Sequence, residues 1–406
     1  MAAVTQRIDN YLGGVSRQSD DKKMPGQVRE CLNGYPDPTF GLTKRPGFKW
    51  IANLGTGTTY DNCKWFYIHR DADERYIGCI KPALGGSTGD IDIWNAATGV
   101  ACTVTYGTGA QAYLTGARTN YDILTVQDTS ILTNNLITAA KQADPTFVTK
   151  TRATLILSDT AVSSTYSVTM NAGGGASDQT YSVTTSGTET YDGLLNSLKT
   201  GIEAFNISGV TVNKYAASLE VSRVISGTRT AFSIACQGGP ANNKLTVFQD
   251  QVDNVSQLPR QSFQDRVVKI INTESTSDTY FAKFVADDGI SGVGHWEETL
   301  DPSKSPGLDN STMPHELINT ATNTFQLRKA TYAARICGDD TTNSHPSFVG
   351  NKIVQSFFHN NRLGFLTSDN VSLSRSGAFF NFYHTSAQTV TDADPVDLSA
   401  STIKPV

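Results

Sequence analysis

Trp65-Phe66-Tyr67-Ile68, then Arg70-Asp71-Ala72-Asp73-Glu74, then Arg75-Tyr76-Ile77-Gly78-Cys79-Ile80: two aromatic and β-branched runs flank a polar, acidic turn. This predicts an antiparallel hairpin, because side chains that suit a pleated surface sit on either side of residues that suit a tight turn. The style continues outward. Ile91-Asp92-Ile93-Trp94 alternates, Asn95-Ala96-Ala97-Thr98-Gly99 turns the chain, and Val100–Tyr106 follows. Tyr121–Val126 and Ser130–Asn134 form the next pair. Similar runs return at Lys352–Phe358, Arg362–Leu366, Val371–Ser374 and Phe379–Tyr383. Short strands joined by polar turns predict a propeller-blade-like meander on each side of a long middle segment.

That middle segment, 151–345, reads differently. Tyr166, Val168 and Met170 alternate with polar residues, as do Tyr181 and Val183. Leu194, Leu198 and Ile202 recur every four residues, with Leu195 and Phe205 on the same flank, and predict one amphipathic helix. Strands are expected at Val210–Val212, Leu219–Val224 and Phe232–Cys236, which makes a small α+β module. A second meander is expected at Val267–Ile271, Tyr280–Val285 and His295–Thr299, before Asp301-Pro302 and Pro306-Gly307 break the chain. The fold class is therefore mainly β and multi-domain: a partial β-propeller interrupted by an inserted α+β and β-meander region. The expected organisation is an extended N-terminal assembly arm at 1–50, a first propeller-type meander at 51–150, the insertion at 151–345, and resumed blades at 346–406. A propeller needs at least about four blades, and this chain supplies fewer. Ser399–Val406 reads as the lead-in to another strand, so further blades are expected beyond it.

Bulk properties narrow the function. At 406 residues the chain exceeds one ordinary core. No stretch approaches the roughly 18 apolar residues of a membrane-spanning helix. Charged residues are 17% and the formal net charge is −5, with none of the basic excess that grips nucleic-acid phosphates. The cysteines at 31, 63, 79, 102, 236 and 337 have no metal or redox spacing and read as free thiols.

No motif carries catalytic or cofactor chemistry. Gly107-Thr108-Gly109-Ala110-Gln111-Ala112 imitates a dinucleotide fingerprint, but poor helix-forming residues follow it, so a turn is expected. His315-Glu316-Leu317-Ile318-Asn319 lacks the second histidine of a zinc-protease helix, although Thr312 and Pro314 suggest a helix start. Asp71-Ala72-Asp73-Glu74 lacks the glycine and distal glutamate of a calcium loop. Asp287-Asp288, Glu297-Glu298 and Asp339-Asp340 are paired carboxylates, but neighbours on a strand face opposite ways, so surface roles are expected. No catalytic, cofactor or metal residue is assigned.

The first fifty residues hold no signal peptide. They read as a glycine-pivoted arm: Gly13-Gly14-Val15-Ser16-Arg17-Gln18, Met24-Pro25-Gly26-Gln27-Val28, Cys31-Leu32-Asn33-Gly34, and Gly41-Leu42-Thr43-Lys44-Arg45-Pro46-Gly47. Pro25, Pro36, Pro38 and Pro46 discourage a long helix. A second block runs from Gly307-Leu308-Asp309-Asn310-Ser311-Thr312-Met313-Pro314 through Asn360-Asn361-Arg362-Leu363-Gly364-Phe365 to Ser372-Leu373-Ser374-Arg375 and Tyr383. Paired asparagines accept left-handed backbone angles, and Arg362 and Arg375 are suited to holding carboxylates or carbonyls by forked hydrogen bonds.

Together, residues 12–48 and 307–383 resemble the tail tubular protein B family, the nozzle proteins of short-tailed phages. The resemblance implies a non-enzymatic virion tail protein, made in the host cytoplasm and forming a homo-oligomeric ring of six subunits. It also implies a tail adaptor ring and tail fibres as partners, and a central channel through which double-stranded DNA passes. Carried to matching positions, it marks Gly13, Gly14, Arg17, Gln18, Pro25, Gly26, Asn33, Arg45, Pro46 and Gly47 as an assembly block. Asn361, Arg362, Leu363, Gly364, Ser374 and Arg375 become a propeller block. Two rivals stand beside it: a receptor-binding or glycan-degrading tail protein, and a monomeric propeller binding module.

Overall fold

A computed structural model describes residues 10–83, 88–271 and 279–400. The chain divides into two units, one of residues 1–56 with 96–99 and one of 57–95 with 100–406. The fold is mainly β. Among the described residues the α-helix is Tyr191–Ala204, with short 3-10 turns elsewhere.

In the first unit the arm is twice tied to itself. Gly13 N–H donates to Gly26 O at 3.0 Å, Val28 N–H to Gly14 O at 2.9 Å, and Ser16 N–H to Val28 O at 2.9 Å. Gly14 and Gly26 take φ of 73° and 85°, angles that a Cβ resists. A hairpin follows, pairing Gly34–Asp37 with Gly41–Lys44. Asp37 caps its turn by accepting from the Thr39 and Phe40 amides at 2.7 and 3.0 Å. The arm's extended character is thus interrupted by two closed loops, while residues 1–9 lie outside the described part.

The second unit begins with the expected hairpin, Lys64–His69 against Arg75–Lys81, extended by Asp90–Asn95. The Asp71 carboxylate accepts from the Asp73 and Glu74 amides at 2.8 and 2.7 Å, so that acidic run is a turn. A five-stranded sheet follows, in the order Thr103–Tyr106, Thr324–Lys329, His315–Ala321, Thr129–Asn134, Tyr121–Val126. It joins sequence-distant strands: His315 pairs with Leu132, and Phe325 runs parallel to Val104. Residues 315–329, expected inside the middle segment, therefore complete a sheet begun at 103. A four-stranded sheet closes the described chain: Gln355–His359, Arg362–Leu366, Asn370–Leu373 and Val396–Ser399.

Between these lie two smaller modules. In the first, the helix covers sheets built from Arg152–Leu157, Val210–Lys214, Ser218–Ile225 and Leu245–Phe248, and from Thr165–Asn171, Gln179–Thr184 and Ser233–Gly238. Thr190 caps the helix by accepting from the Gly193 amide. Leu194, Leu195, Leu198 and Ile202 are buried against Leu155, Met170 and Val221, as their spacing predicts. The second module, a β-meander, holds Gln251–Val252, Val267–Ile270, Tyr280–Ala286, Ser291–Thr299 and Gln261–Phe263.

Two local expectations are corrected. His315–Asn319 is strand, not the start of a helix, because strands on both sides claim its backbone and tertiary pairing outweighs local preference. Phe379–Tyr383 is not a strand. It folds in turns that bury Phe382 and Tyr383, and Val396–Ser399 takes the place beside Asn370–Leu373 instead. A partial propeller is not established by these sheets.

Candidate assembly site

The propeller block is built on a two-residue turn. Asn360 and Asn361 have φ of 47° and 59°, the left-handed pair that matches a hairpin's twist. They join Gln355–His359 to Arg362–Leu366. Arg362 then forks across the loop beyond the sheet, donating to Ser374 O at 2.8 Å, Asp394 O at 2.6 Å and Asp392 O at 2.5 Å. Leu363 is buried, and its amide donates to Ser374 Oγ at 2.9 Å. Gly364 lies opposite Phe357, and a Cβ there would meet that ring at 2.2 Å.

Arg375 behaves differently from Arg362. Its amide donates to Asn381 O at 2.8 Å, whereas its buried Nε has no hydrogen-bond partner. Burial raises the proton affinity of Asp394, but the Thr391 amide and hydroxyl, then His384 and Arg375, bring its carboxyl below the usual carboxylate range. Arg362 thus binds the loop at 391–394, Ser374 joins it to the Leu363 amide, Arg375 acts on Asp394, Asn361 accepts from the Gly377 amide, and Gly364 seats an aromatic ring.

The arm's block is local in the same sense. Asn33, at φ 55°, accepts from Arg45 twice, backbone to backbone at 2.8 Å and Nε to Oδ1 at 2.7 Å. The Arg45 guanidinium lies 4.5 Å from the Phe48 ring centroid. Gly13, Gly14 and Gly26 close the first loop, with Pro25 in its turn. The Arg17 and Gln18 side chains, Pro46 and Gly47 take no part in these ties. What sequence reading missed here is the exposure of the apolar residues between these points: Leu32 78%, Phe40 79%, Phe48 89% and Trp50 78%.

Sequence reading also missed three buried charges. Glu220 and Arg266 form an ion pair at 2.9 Å, 0% and 1% exposed. Glu220 also accepts from Ser262 Oγ at 2.6 Å and Thr154 Oγ1 at 3.1 Å, which ties the helical module to the meander that follows. Arg335, buried, donates to Ser305 O, Asn343 O and the Asp340 carboxylate at 2.9, 3.0 and 3.0 Å. Burial opposes ionisation of Asp340, yet Lys304 and Arg335 hold its carboxyl at about 2. Arg335 stands in the apolar run Tyr332–Cys337, an incongruity that could have flagged it.

The candidate motifs have structural partners. Glu297 pairs with Lys283 at 3.1 Å, while Glu298 turns the other way to the Ser386 hydroxyl and Ala387 amide at 2.8 and 2.7 Å. Asp339 caps the turn at Thr341 and Thr342. Gly107–Gly109 leads into one 3-10 turn that buries Ala110 and Tyr113. His315 is buried on the Tyr113 ring, centroids 4.1 Å apart, with Nδ1 2.8 Å from Met313 O. The six cysteines are free. Among the described residues, no group of three or more His, Cys, Asp or Glu is placed to hold a metal ion.

The site thus belongs to a mainly β protein whose charged and polar residues lock loops to sheets, with large exposed apolar side chains on its arm. The class is that of a mainly β structural protein. A family model for bacteriophage nozzle proteins matches residues 1–406, and the chain belongs to that family. It is 28% identical over 416 residues to tail tubular protein gp12 of Escherichia phage T7, in an alignment covering 99% of this chain and 50% of that protein. The chain spans about half the length of the curated relative it matches. A nozzle family and a tail tubular relative support a structural role in a phage tail.

Proposed function

We propose that the chain is one subunit of a six-membered nozzle ring, stacked under a tail adaptor ring, with outer surfaces for tail fibres and a central passage for double-stranded DNA. The arm residues named above clasp neighbouring subunits. The Asn361–Arg375 block keeps a blade-like sheet rigid, within a partial propeller that an insertion near 151 interrupts. The sheet joining 103–134 to 315–329 favours drawing the return from that insertion at His315. The observation that carries this reading is an arm held by its own glycines and Asn33–Arg45 bonds while its large apolar side chains are exposed.

In this mechanism the passage guides DNA without gripping it. Each phosphate neutralised by Lys or Arg would add a counterion-release term and slow sliding. A chain of net charge −5 suits a neutral or mildly acidic lumen. Assembly takes place in the host cytoplasm, and no cofactor takes part. The paired carboxylates, held by lysine, amide and hydroxyl groups, favour this reading over glycan cleavage, which needs two carboxyls converging on one groove. The test is the native mass of the full chain by light scattering, alone and with the adaptor protein. The ring gives about six times 43.7 kDa. A particle of 43.7 kDa under both conditions refutes the proposal.

A further inference from the structure

Residues of the helical module and of the meander after it line an open pocket of about 210 Å³, far more than one water needs. Arg152, Arg229 and Arg266 line it, together with Gln249, Asp250 and Asp265. The three arginines form a graded series: Arg229 is exposed, Arg152 half-buried and Arg266 2% exposed.

Their donors are not used up. Arg152 Nη1 is buried with no hydrogen-bond partner, as is Arg266 Nε, whereas Arg266 Nη1 lies 2.9 Å from the Glu220 carboxylate. Arg266 does hold Glu220 as an ion pair and donates through Nη2 to Gln249 O at 3.0 Å. Its ring contact is Phe248, and that of Arg152 is Phe263, at 5.0 and 4.9 Å. Rings cover faces, not N–H edges.

Two carboxylates, Asp250 and Asp265, line the cavity beside the arginines, and each accepts a hydrogen bond from another group. Asp250 accepts from the Lys150 amide at 2.7 Å, and burial raises its affinity for a proton. Asp265 accepts from Gln264 Nε2 at 3.0 Å. Glu220, behind Arg266 and outside the lining, uses Oε1 for Arg266, Ser262 and Thr154, while its Oε2 is buried without a hydrogen-bond partner. Burial, then crowding by Arg229 and Arg266, lowers the Arg152 guanidinium to about 10. Buried donors without acceptors are costly and call for a ligand.

We infer that this arginine-lined cavity is a binding site for a small oxyanion of the phosphate class. Such an ion presents acceptors on all sides and matches guanidinium forks. It would accept from Arg152 and Arg266 inside and Arg229 at the mouth.

The experiment is thermal unfolding of the full chain in inorganic phosphate against chloride at equal ionic strength and pH 7. Phosphate should raise the midpoint by a few degrees in a saturable way, since a ligand that binds only the native state stabilises it. Arg229→Gln, at an exposed position that leaves the core intact, should weaken the phosphate response at least tenfold in half-saturating concentration. Arg152→Gln should abolish the response. Equal midpoints in phosphate and chloride overturn the inference. So does a phosphate response that Arg229→Gln and a folded Arg152→Gln both retain unchanged.

Discussion

Glu220 and Arg266 set the largest stakes carried by single side chains, because both lie out of reach of water. Removing one partner strands the other charge, at a cost of about 3–5 kcal/mol. Arg266→Met or Glu220→Gln should therefore lower the urea midpoint steeply. A combined Arg266→Met, Glu220→Leu variant should recover much of the loss, since apolar replacement of a whole buried pair is often neutral. A double variant no more stable than the singles would show that the pair does not act as a unit. His315 adds a pH dependence. Burial holds its imidazole at about 4, against 6.5 for the unperturbed group. Between these values the unfolded chain takes up a proton that the native state refuses. Stability therefore falls as pH drops from 6.5 towards 4, by at most about 3 kcal/mol for this residue. Urea titrations at pH 7 and pH 5 should show that loss in the parent and a smaller one in His315→Gln. Equal losses would clear His315 of the effect. The Glu220–Arg266 pair was not legible in sequence, because its partners lie on different elements and no local spacing encodes the meeting. Asn360-Asn361 was legible, since its left-handed angles follow from the two side chains themselves.

At the level of elements, two hairpins repeat one device. Phe66 lies opposite Gly78, and Phe357 opposite Gly364. In both, a Cβ on the glycine would meet the ring at 2.2 Å. The glycine lets a ring lie flat across the neighbouring strand, a place where a backbone without a side chain gains cover. Gly78→Ala and Gly364→Ala should each destabilise by about 1–3 kcal/mol through overpacking. Phe357→Leu should relieve part of the Gly364→Ala cost, measured as a double-mutant cycle in urea. Additive effects would mean that ring and glycine are energetically independent. Strands with clear alternation and the helix at 191–204 were legible because burial on one face writes a period into the sequence. The strand at His315 was not, since its pairing partners lie near 130 and 329 and the sheet it completes begins at 103. The turns at Phe379–Tyr383 misled for the opposite reason: aromatic residues that plug a core look locally like those that pave a strand.

For the molecule as a whole, the arm decides between a solitary protein and a ring. A large aromatic side chain buries about 150–250 Å², and anchors of that kind typically cost about 2 kcal/mol or more when truncated at an interface. Phe48, at 89% exposure, and Trp50, at 78%, are too open to support the fold of a single copy. Phe48→Ala with Trp50→Ala should therefore leave the urea midpoint of the monomer within about 0.5 kcal/mol. The same change should shift the proposed ring towards monomer at least a hundredfold in concentration. Sedimentation velocity across a dilution series separates the two effects. Arg45→Ala should follow in milder form, because it removes both the side-chain tie to Asn33 and the guanidinium beside the Phe48 ring. A ring that assembles as tightly without the two aromatics would leave the arm as decoration and move the clasp to the sheets. A collapse of the monomer itself would mean that these rings pack within one copy after all.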